Sequence, residues 1–219
     1  MFFNNTYMLY VCQVVEEKFM TETRPHTKAE QRTETRRRLI SIARAQFTAH
    51  GYAQTSTEAI VQLAGVTRGA LYHHFGNKEG LFTAVVAEVQ RDVAQRVAEA
   101  SRVTQHPWDQ LILGCHAFLR ASLEPDVQRI MLLDGPATIS WDAWRKMDAE
   151  NAMRLLEAGI RELADMHIIE VASVMAATHL LSGAMNEAVL WIARSHQPLQ
   201  ALDETITALE QLLAGLRVR

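Results

Sequence analysis

The stretch Thr55–Lys78, TSTEAIVQLAGVTRGALYHHFGNK, decides the fold of this chain. Its apolar residues recur at helical spacing and are interrupted by Gly65, a residue type that often ends a helix in the left-handed conformation. Thr67 is a favoured N-cap for a second short helix, and Asn77 is one for a third. The stretch therefore predicts two short helices joined by a tight turn, followed directly by a longer helix.

The start of the first short helix has two candidate caps. Thr55 and Glu58 fit a capping box, in which the hydroxyl accepts from a first-turn N–H and the carboxylate reaches back. Ser56 is an equally suitable cap, and the pattern does not separate the two.

The second short helix has one face suited to reading DNA. Gly69 costs about 1 kcal/mol relative to Ala in a helix interior, and close approach to a phosphate or a groove edge is a reason to keep it. We expect the apolar positions Leu63, Val66, Leu71 and Phe75 to hold this helix against a small core. The exposed positions are Thr67, Arg68, Gly69, Tyr72 and His73. This pattern predicts a helix-turn-helix that binds duplex DNA.

The same region resembles the TetR/AcrR family of transcriptional regulators. The resemblance covers roughly residues 35–85 and rests on Gly51-Tyr52, Thr55-Ser56, Ala64–Gly69, Leu71–Phe75 and Asn77–Leu81. It implies phosphate contacts from Thr55 or Ser56, Thr67, Tyr72, His73 and Lys78. It also implies base-edge contacts from Arg68, Gly69, Tyr72 and His73. The rest of the chain matches the family only in length and helical character.

Composition and charge agree with a two-part, all-α protein. Apolar residues make up 48% of 219 residues, with five prolines and ten glycines, which is enough for a sizeable helical core. Residues 20–83 carry nine Lys/Arg against five Asp/Glu, whereas residues 84–219 carry twelve against eighteen. A basic N-terminal module on an acidic remainder is typical of a protein that meets DNA at one end. The run Arg36–Arg38 is either a solvated helix start or a set of phosphate contacts.

The first nineteen residues do not fit this plan. Their apolar run, Tyr7–Val15, is too short to span a membrane, and no positive segment or cleavage site marks a signal peptide. We expect either that Met20 is the true start or that residues 1–19 add a strand or helix. Cys12 and Cys115 form no metal or disulfide pattern, so we expect a reducing cytoplasm, no metal and no cofactor.

The organisation along the chain predicts three segments. Residues 1–32 are an N-terminal tail, 33–83 the three-helix DNA-binding domain, and 84–219 a ligand-binding and dimerisation bundle. Predicted helices cover about 33–50, 78–102, 107–123, 125–133, 141–165, 170–195 and 202–216, with breaks at Asp134–Pro136 and Pro198. The segment Ala176–Ile192 is apolar on more than one face. One face suits the body and another a partner copy, so we expect a homodimer rather than a monomer whose last helices are ordinary core.

A ligand cavity in the bundle is the next expectation. Met and aromatic residues at helical spacing are more often plain core, but here they lie on helices that would surround a cavity for a small apolar or aromatic molecule. The candidates are His116, Phe118, Met131, Trp141, Trp144, Met147 and His179, together with Trp108, Cys115, Met153 and Met185.

Three function classes follow. The resemblance implies a repressor that a small molecule releases from an inverted-repeat operator on double-stranded DNA. The alternatives are a DNA-binding activator or a regulator without an inducer. An enzyme is disfavoured, because no hydrolase, zinc-protease, P-loop or dinucleotide motif is present and Cys115 and His116 point in different directions along one helix.

Overall fold

The computed structural model describes residues 27–121 and 123–218, and their regular structure is helical apart from an isolated bridge between Ile169 and Arg217. The predicted all-α class is confirmed. The expectations for residues 1–19, Cys12 and Met20 fall outside the described residues. The helices are α1 Lys28–Gln54, α2 Thr57–Ala64, α3 Arg68–Phe75, α4 Lys78–Ser101, α5 Pro107–Ala121, a π-helix Val127–Asp134, α6 Gly135–Thr138, α7 Trp141–Glu150, α8 Ala152–Asp165, α9 Val174–Arg194 and α10 Pro198–Ala214.

Helix α1 begins five residues earlier than the predicted Thr33 because a capping box holds its start. Thr27 Oγ1 accepts from the N–H of Glu30 at 3.2 Å, and the Glu30 carboxylate accepts from the N–H of Thr27 at 2.7 Å. Near its other end the helix kinks at Gly51, which has a φ of +75°. A Cβ at Gly51 would also overlap the Arg129 guanidinium, so only glycine fits this kink.

The caps of α2, α3 and α4 fix the head, by which we mean α1–α3. Ser56 is the N-cap of α2, because its hydroxyl accepts from the Ala59 N–H at 3.1 Å. Gly65 ends α2 with a φ of +60°, and Thr67 and Asn77 cap α3 and α4 as predicted. The predicted capping box of Thr55 and Glu58 is wrong. The Thr55 side chain is buried, and its hydroxyl lies 2.8 Å from the carbonyl oxygen of Gly51 in the preceding turn.

The core of the head is small and aromatic. Phe47 and Phe82 meet edge to face with ring centroids 5.0 Å apart, and Tyr52 lies 4.8 Å from Phe82. Leu71 is fully buried, which attaches α3 to this core. Leu63 was expected inside but is 46% exposed, because Ile60 and Ala64 define the inward face of α2.

Helix α4 joins the head to the body, by which we mean α5–α10 and the π-helix. It runs without a break across the predicted domain boundary at residues 83 and 84. Its inward side chains Phe82, Val86 and Val89 are buried with the head, and Val93 and Val97 are buried further along. One rigid element therefore enters both parts of the molecule.

Between the π-helix and α8, the body departs from the predicted boundaries at two places. At Gly135-Pro136 the chain stays helical, because the proline lies in the first turn of α6, where its missing N–H is not needed. The predicted helix over 141–165 is instead two helices. The Asn151 side-chain amide donates to the Met147 carbonyl at 2.6 Å and takes the acceptor that the helix would use, so α7 ends there.

The last two helices also shift. Ser173 caps α9, which therefore begins at Val174 rather than near Glu170. Pro198, predicted to break the chain, is the first residue of α10, a position where proline is favoured.

Candidate nucleic-acid interface and ligand cavity

The outward face of α3 carries the predicted reading residues. Thr67, Arg68, Gly69, Tyr72 and His73 are all exposed. Arg68, Gly69, Tyr72 and His73 are spaced so that they share one side of the helix, and Leu71 anchors the opposite side. Among the described residues, a Cβ at Gly69 would meet Thr67 Oγ1 at 3.8 Å, which is an ordinary contact, so the surface at this glycine is open.

Arg68 is held in place by its neighbours. Its guanidinium lies 5.4 Å from the Tyr72 ring centroid and donates to the Tyr72 hydroxyl at 3.2 Å. It also pairs with Glu58 of α2 at 3.1 Å. These groups are exposed, so the contacts orient the guanidinium along α3 more than they stabilise the fold.

The run Arg36–Arg38 of α1 spreads over three different sites. Arg36 lies over the Phe75 ring of α3 at 5.4 Å, Arg37 pairs with Glu34 at 2.8 Å, and Arg38 approaches Gly65 in the turn. Burial lowers the pKa of His74, and the charges of His73, Arg32 and Arg36 lower it further. Arg32 and Arg36 therefore extend the positive surface beside α3. Arg32 was missed because it stands apart from the run at 36–38.

Lys78 and Ser56 lie at the starts of α4 and α2. The Lys78 ammonium sits 4.3 Å from the Tyr52 ring centroid, and partial burial lowers its pKa. Ser56 is exposed, whereas the Thr55 side chain is buried. Of the two predicted residues, only the Ser56 side chain can therefore face a phosphate. The two helix N-termini present N–H groups and a positive dipole, which suit phosphates.

The body contains a cavity of about 260 Å³ between α4, α5, α7, α8 and α9. Its wall is largely apolar. Of the predicted ligand residues Phe118 lines it, as do Cys115, Met153 and Met185. Burial raises the pKa of the Cys115 thiol to about 12, so this sulfur stays protonated and serves as an apolar wall.

Seven predicted ligand residues lie elsewhere. One is Trp108, whose ring centroid lies 4.9 Å from the Arg217 guanidinium. His116 points away from the cavity toward Glu210 of α10, 2.9 Å from its carboxylate, and burial lowers its pKa. The Trp144 indole donates to the Met131 carbonyl at 3.0 Å. Trp141 stacks on Trp144 and is 61% exposed. Neither Met131 nor Met147 is among the lining residues, and His179 is exposed on the outer face of α9.

A polar cluster at the cavity was not predicted. Asp148 of α7 lines the cavity and is almost fully buried, with Arg145 Nη1 2.8 Å from its Oδ2. Ser182 and Asn186 of α9 approach the same oxygen at 3.5 and 3.4 Å. Burial raises the pKa of Asp148, and Arg145 opposes that rise. Ser182 and Asn186, one helical turn apart on the inward side of an apolar helix, are the only sequence signal for this cluster.

Known proteins share both parts of this arrangement. Residues 39–85 match the family model described as bacterial regulatory proteins, tetR family, and residues 108–216 match a tetracyclin repressor-like C-terminal domain. The crystal structure of a TetR-family transcriptional regulator from Pectobacterium atrosepticum is 35% identical, with a TM-score of 0.75. That match covers 89% of this chain and 99% of the other. The chain belongs to the TetR family of transcriptional regulators.

Two further proteins that are similar to this TetR-family chain match smaller shares of it. The transcriptional repressor AcnR of Corynebacterium glutamicum is 37% identical over 67 residues, which are 31% of this chain and 36% of that repressor. This chain thus spans about a third of the length of the curated relatives it matches first. The regulator FadR of Bacillus subtilis, solved in complex with stearoyl-CoA, has a TM-score of 0.66 at 20% identity. It covers 83% of this chain and 99% of its own length, and it shares the fold.

Two groups of charged contacts tie the head to the body of this TetR-family chain. Arg44 of α1 bonds Asp126, before the π-helix, at 2.6 Å, and it also bonds Asp92 of α4. The Tyr52 N–H donates to Asp134 at 2.7 Å, and Arg129 lies 3.4 Å from the same carboxylate. The head is thus held at both ends of the π-helix as well as by α4.

The outer face of α9 and α10 is apolar and exposed. Leu180 is 74% exposed, Trp191 49% and Leu212 63%. Ala184, Ala188 and Leu212 line a shallow groove between the two helices, with Trp191 at its edge. A Cβ at Gly183 would meet nothing within the chain. Exposed apolar residues grouped on one face are typical of surfaces that bind another protein.

Two kinds of site are not found in the described part of the chain. Within 27–121 and 123–218, no group of three or more His, Cys, Asp or Glu side chains is placed to hold a metal ion. None of the helices in those ranges combines the length and apolarity needed to cross a bilayer.

Proposed function

We propose that this protein is a homodimeric repressor that binds an inverted-repeat operator and is released from it by a small molecule bound in the body. The observation that carries the proposal is the exposed α3 face, with Arg68, Gly69 and Tyr72 turned away from a buried Leu71. Hydrogen-bond donors and an uncrowded glycine on a short helix suit the major groove.

The contacts divide into two kinds. Arg68 can give two parallel hydrogen bonds to a guanine edge, and Tyr72 and His73 lie beside it on the same face. Ser56, Thr67 and Lys78 stand at helix N-termini, where phosphates are bound. Arg32 and Arg36 add positive charge at the flank of α3. The first kind supplies sequence preference, and the second supplies affinity that falls with salt.

A second copy of the chain is the partner that suits the α9–α10 face. The same apolar patch on each copy would be self-complementary around a two-fold axis, as homodimer interfaces are. The interface would bury the side chains of Leu180, Trp191 and Leu212 away from water. Two α3 helices would then reach half-sites one turn of DNA apart, about 34–36 Å.

The effector would act through differential affinity for two arrangements of the body. Val97, Ala98 and Ser101 of α4 line the cavity, and the same helix begins at Lys78 beside the DNA. The nineteen residues between Lys78 and Val97 span roughly 28 Å of rigid helix. The Arg44 contacts with Asp92 and Asp126 join that helix and the π-helix to the head. A shift of α4 at its cavity end would thus change the position of α3, so that the two α3 helices no longer match the spacing of the half-sites.

Selection of bound duplexes from a random DNA library tests the proposal, using the purified full chain at physiological salt. We expect an inverted repeat to be enriched and to bind with a stoichiometry of one dimer per site. Tyr72→Ala is the control, because its exposed side chain leaves the core intact. No enrichment over this control would overturn the DNA-binding assignment, and a single unrepeated half-site would overturn the dimer.

A further inference from the structure

The Asp148 carboxylate in the cavity wall has its hydrogen-bond partners on one oxygen. Arg145, Ser182 and Asn186 all approach Oδ2 of Asp148. Among the contacts of the described residues, Oδ1 of the same carboxylate accepts none, although the side chain is only 3% exposed. Since Asp148 lines the cavity, a carboxylate oxygen without a protein donor can accept a hydrogen bond from a molecule bound there.

A second acceptor lies next to the first. Asn186 donates through Nδ2 toward Asp148, and its Oδ1 is buried without a partner among the described residues. The fixed donors nearby, Arg145 and Ser182, are already directed at Oδ2 of Asp148. Asn186 is not among the residues that line the cavity, whereas Asp148 is, so Oδ1 of Asp148 is the acceptor available to a bound molecule.

The remaining wall limits the size and character of what can bind. Leu111, Phe118, Leu156 and Met185 give an apolar surface, and the cavity holds about 260 Å³. Since ligand pockets usually measure about 300–1,000 Å³, this cavity is at the small end of that range and suits a compact molecule. The charged residues Arg102 and Glu162 also line the cavity, but both are exposed to solvent.

We propose that the effector is a compact apolar molecule whose polar end donates hydrogen bonds, a hydroxyl or an amine, to Asp148 Oδ1. This inference rests on the proposed role of the cavity as the effector site. A hydroxyl or N–H supplies the missing donor, whereas a methyl ether of the same shape leaves the carboxylate unpaired. A ligand carboxylate places a second negative group beside Asp148. The site thus disfavours an ether, which leaves Asp148 Oδ1 without a donor, and a carboxylate, which is repelled by Asp148.

Three matched probes test this inference on the wild-type dimer by isothermal titration calorimetry. They are para-propylphenol, its methyl ether and para-propylbenzoate, which share a ring and a chain and differ at one polar end. We expect the phenol to bind at least tenfold more tightly than either of the others. Equal binding of the ether, tighter binding of the benzoate or no binding of the phenol would overturn the inference.

Two variants connect the preference to Asp148. Asp148→Asn is expected to reduce the phenol-to-ether ratio severalfold. Glu150→Gln, which removes an exposed carboxylate from the same helix, should keep the ratio at the wild-type value. An unchanged ratio in a folded Asp148→Asn dimer would assign the selectivity elsewhere. If that variant does not fold, the comparison of the three probes on the wild type still tests the proposed ligand class.

Release of the operator is measured separately from binding. Phenol binding with the expected preference but without operator release would contradict the proposed function and leave the ligand class standing. Release by the ether or the benzoate at equal concentration would support the cavity as the effector site and overturn the ligand class.

Discussion

The outward face of α3 and the outward face of α9 are opposite in character. On α3 the exposed side chains are polar and Leu71 is buried. On α9 the exposed side chains include Leu180 and Trp191, whereas Thr178 and Ser182 are buried. The difference matches the proposed partners. DNA is a hydrated polyanion and is bound by exposed hydrogen-bond donors and cations. A second protein copy is bound by apolar surface that becomes buried in the interface.

The largest expected effect comes from reversing the character of the α9 face. Leu180→Glu combined with Trp191→Glu should convert the dimer to a monomer, because four carboxylates would meet across the two-fold axis. Losing the linked second half-site should reduce operator affinity by about a hundredfold or more. Light scattering and operator titration measure both effects.

The matched control for that variant is Val103→Glu, which places a carboxylate on an exposed apolar residue after α4. It should remain dimeric and bind the operator as the wild type does. A double variant that stays dimeric would show that the α9 face is not the interface.

On the polar face of α3, Tyr72→Ala should weaken operator binding by roughly 1–3 kcal/mol, which is about ten- to a hundredfold. The ring is exposed and supports the Arg68 guanidinium, so both contacts are lost together. The free energy of unfolding in urea should change little. Unchanged operator affinity in a fluorescence titration would remove this face from the interface.

Gly69→Ala separates stability from binding on the same face. The head should gain up to about 1 kcal/mol in free energy of unfolding, because alanine favours the helix and its Cβ meets no clash within the chain. Operator affinity should fall by several-fold, since the added methyl prevents close approach to the groove. Urea unfolding and operator titration on the same preparation check the two directions. A more stable variant with full affinity would contradict close approach at Gly69.

The smallest effect is expected for the phosphate contact at Lys78. Lys78→Ala should weaken operator and random duplexes alike and lower the slope of log K against log salt by about one per half-site. Lys146→Ala, an exposed lysine of α7 in the body, is the matched control and should leave the slope unchanged. A change confined to the operator would instead make Lys78 a base-reading residue.

The head could be predicted closely from the sequence because its structure is local. Gly65, Thr67 and Asn77 act within three residues of the helix ends they define. The errors at Thr55 and Leu63 were each one position from the residue that the structure uses, whereas the start of α1 was misplaced by five residues. A choice between neighbours such as Thr55 and Ser56 depends on the kink at Gly51, which the pattern does not specify.

The body could be predicted only in outline because its helices are apolar on more than one face. Hydrophobic periodicity shows that α9 has apolar faces but does not say which of them turns inward. His179 was therefore placed at the cavity, although it lies outside. No sequence pattern singled out Asp148, because its partners Ser182 and Asn186 are more than thirty residues away.

The sequence by itself determined the all-α class, the helix-turn-helix and the polar face of α3. Caps, turns and spacing within about twenty-five residues encode these features, and each is stabilised by hydrogen bonds to its own segment. The tertiary structure decided where the cavity lies, which residues line it and how Arg44 joins Asp92 and Asp126 across the molecule. Those features depend on the relative rotation of packed helices. That rotation is set by contacts between residues far apart in the chain, which no local pattern records.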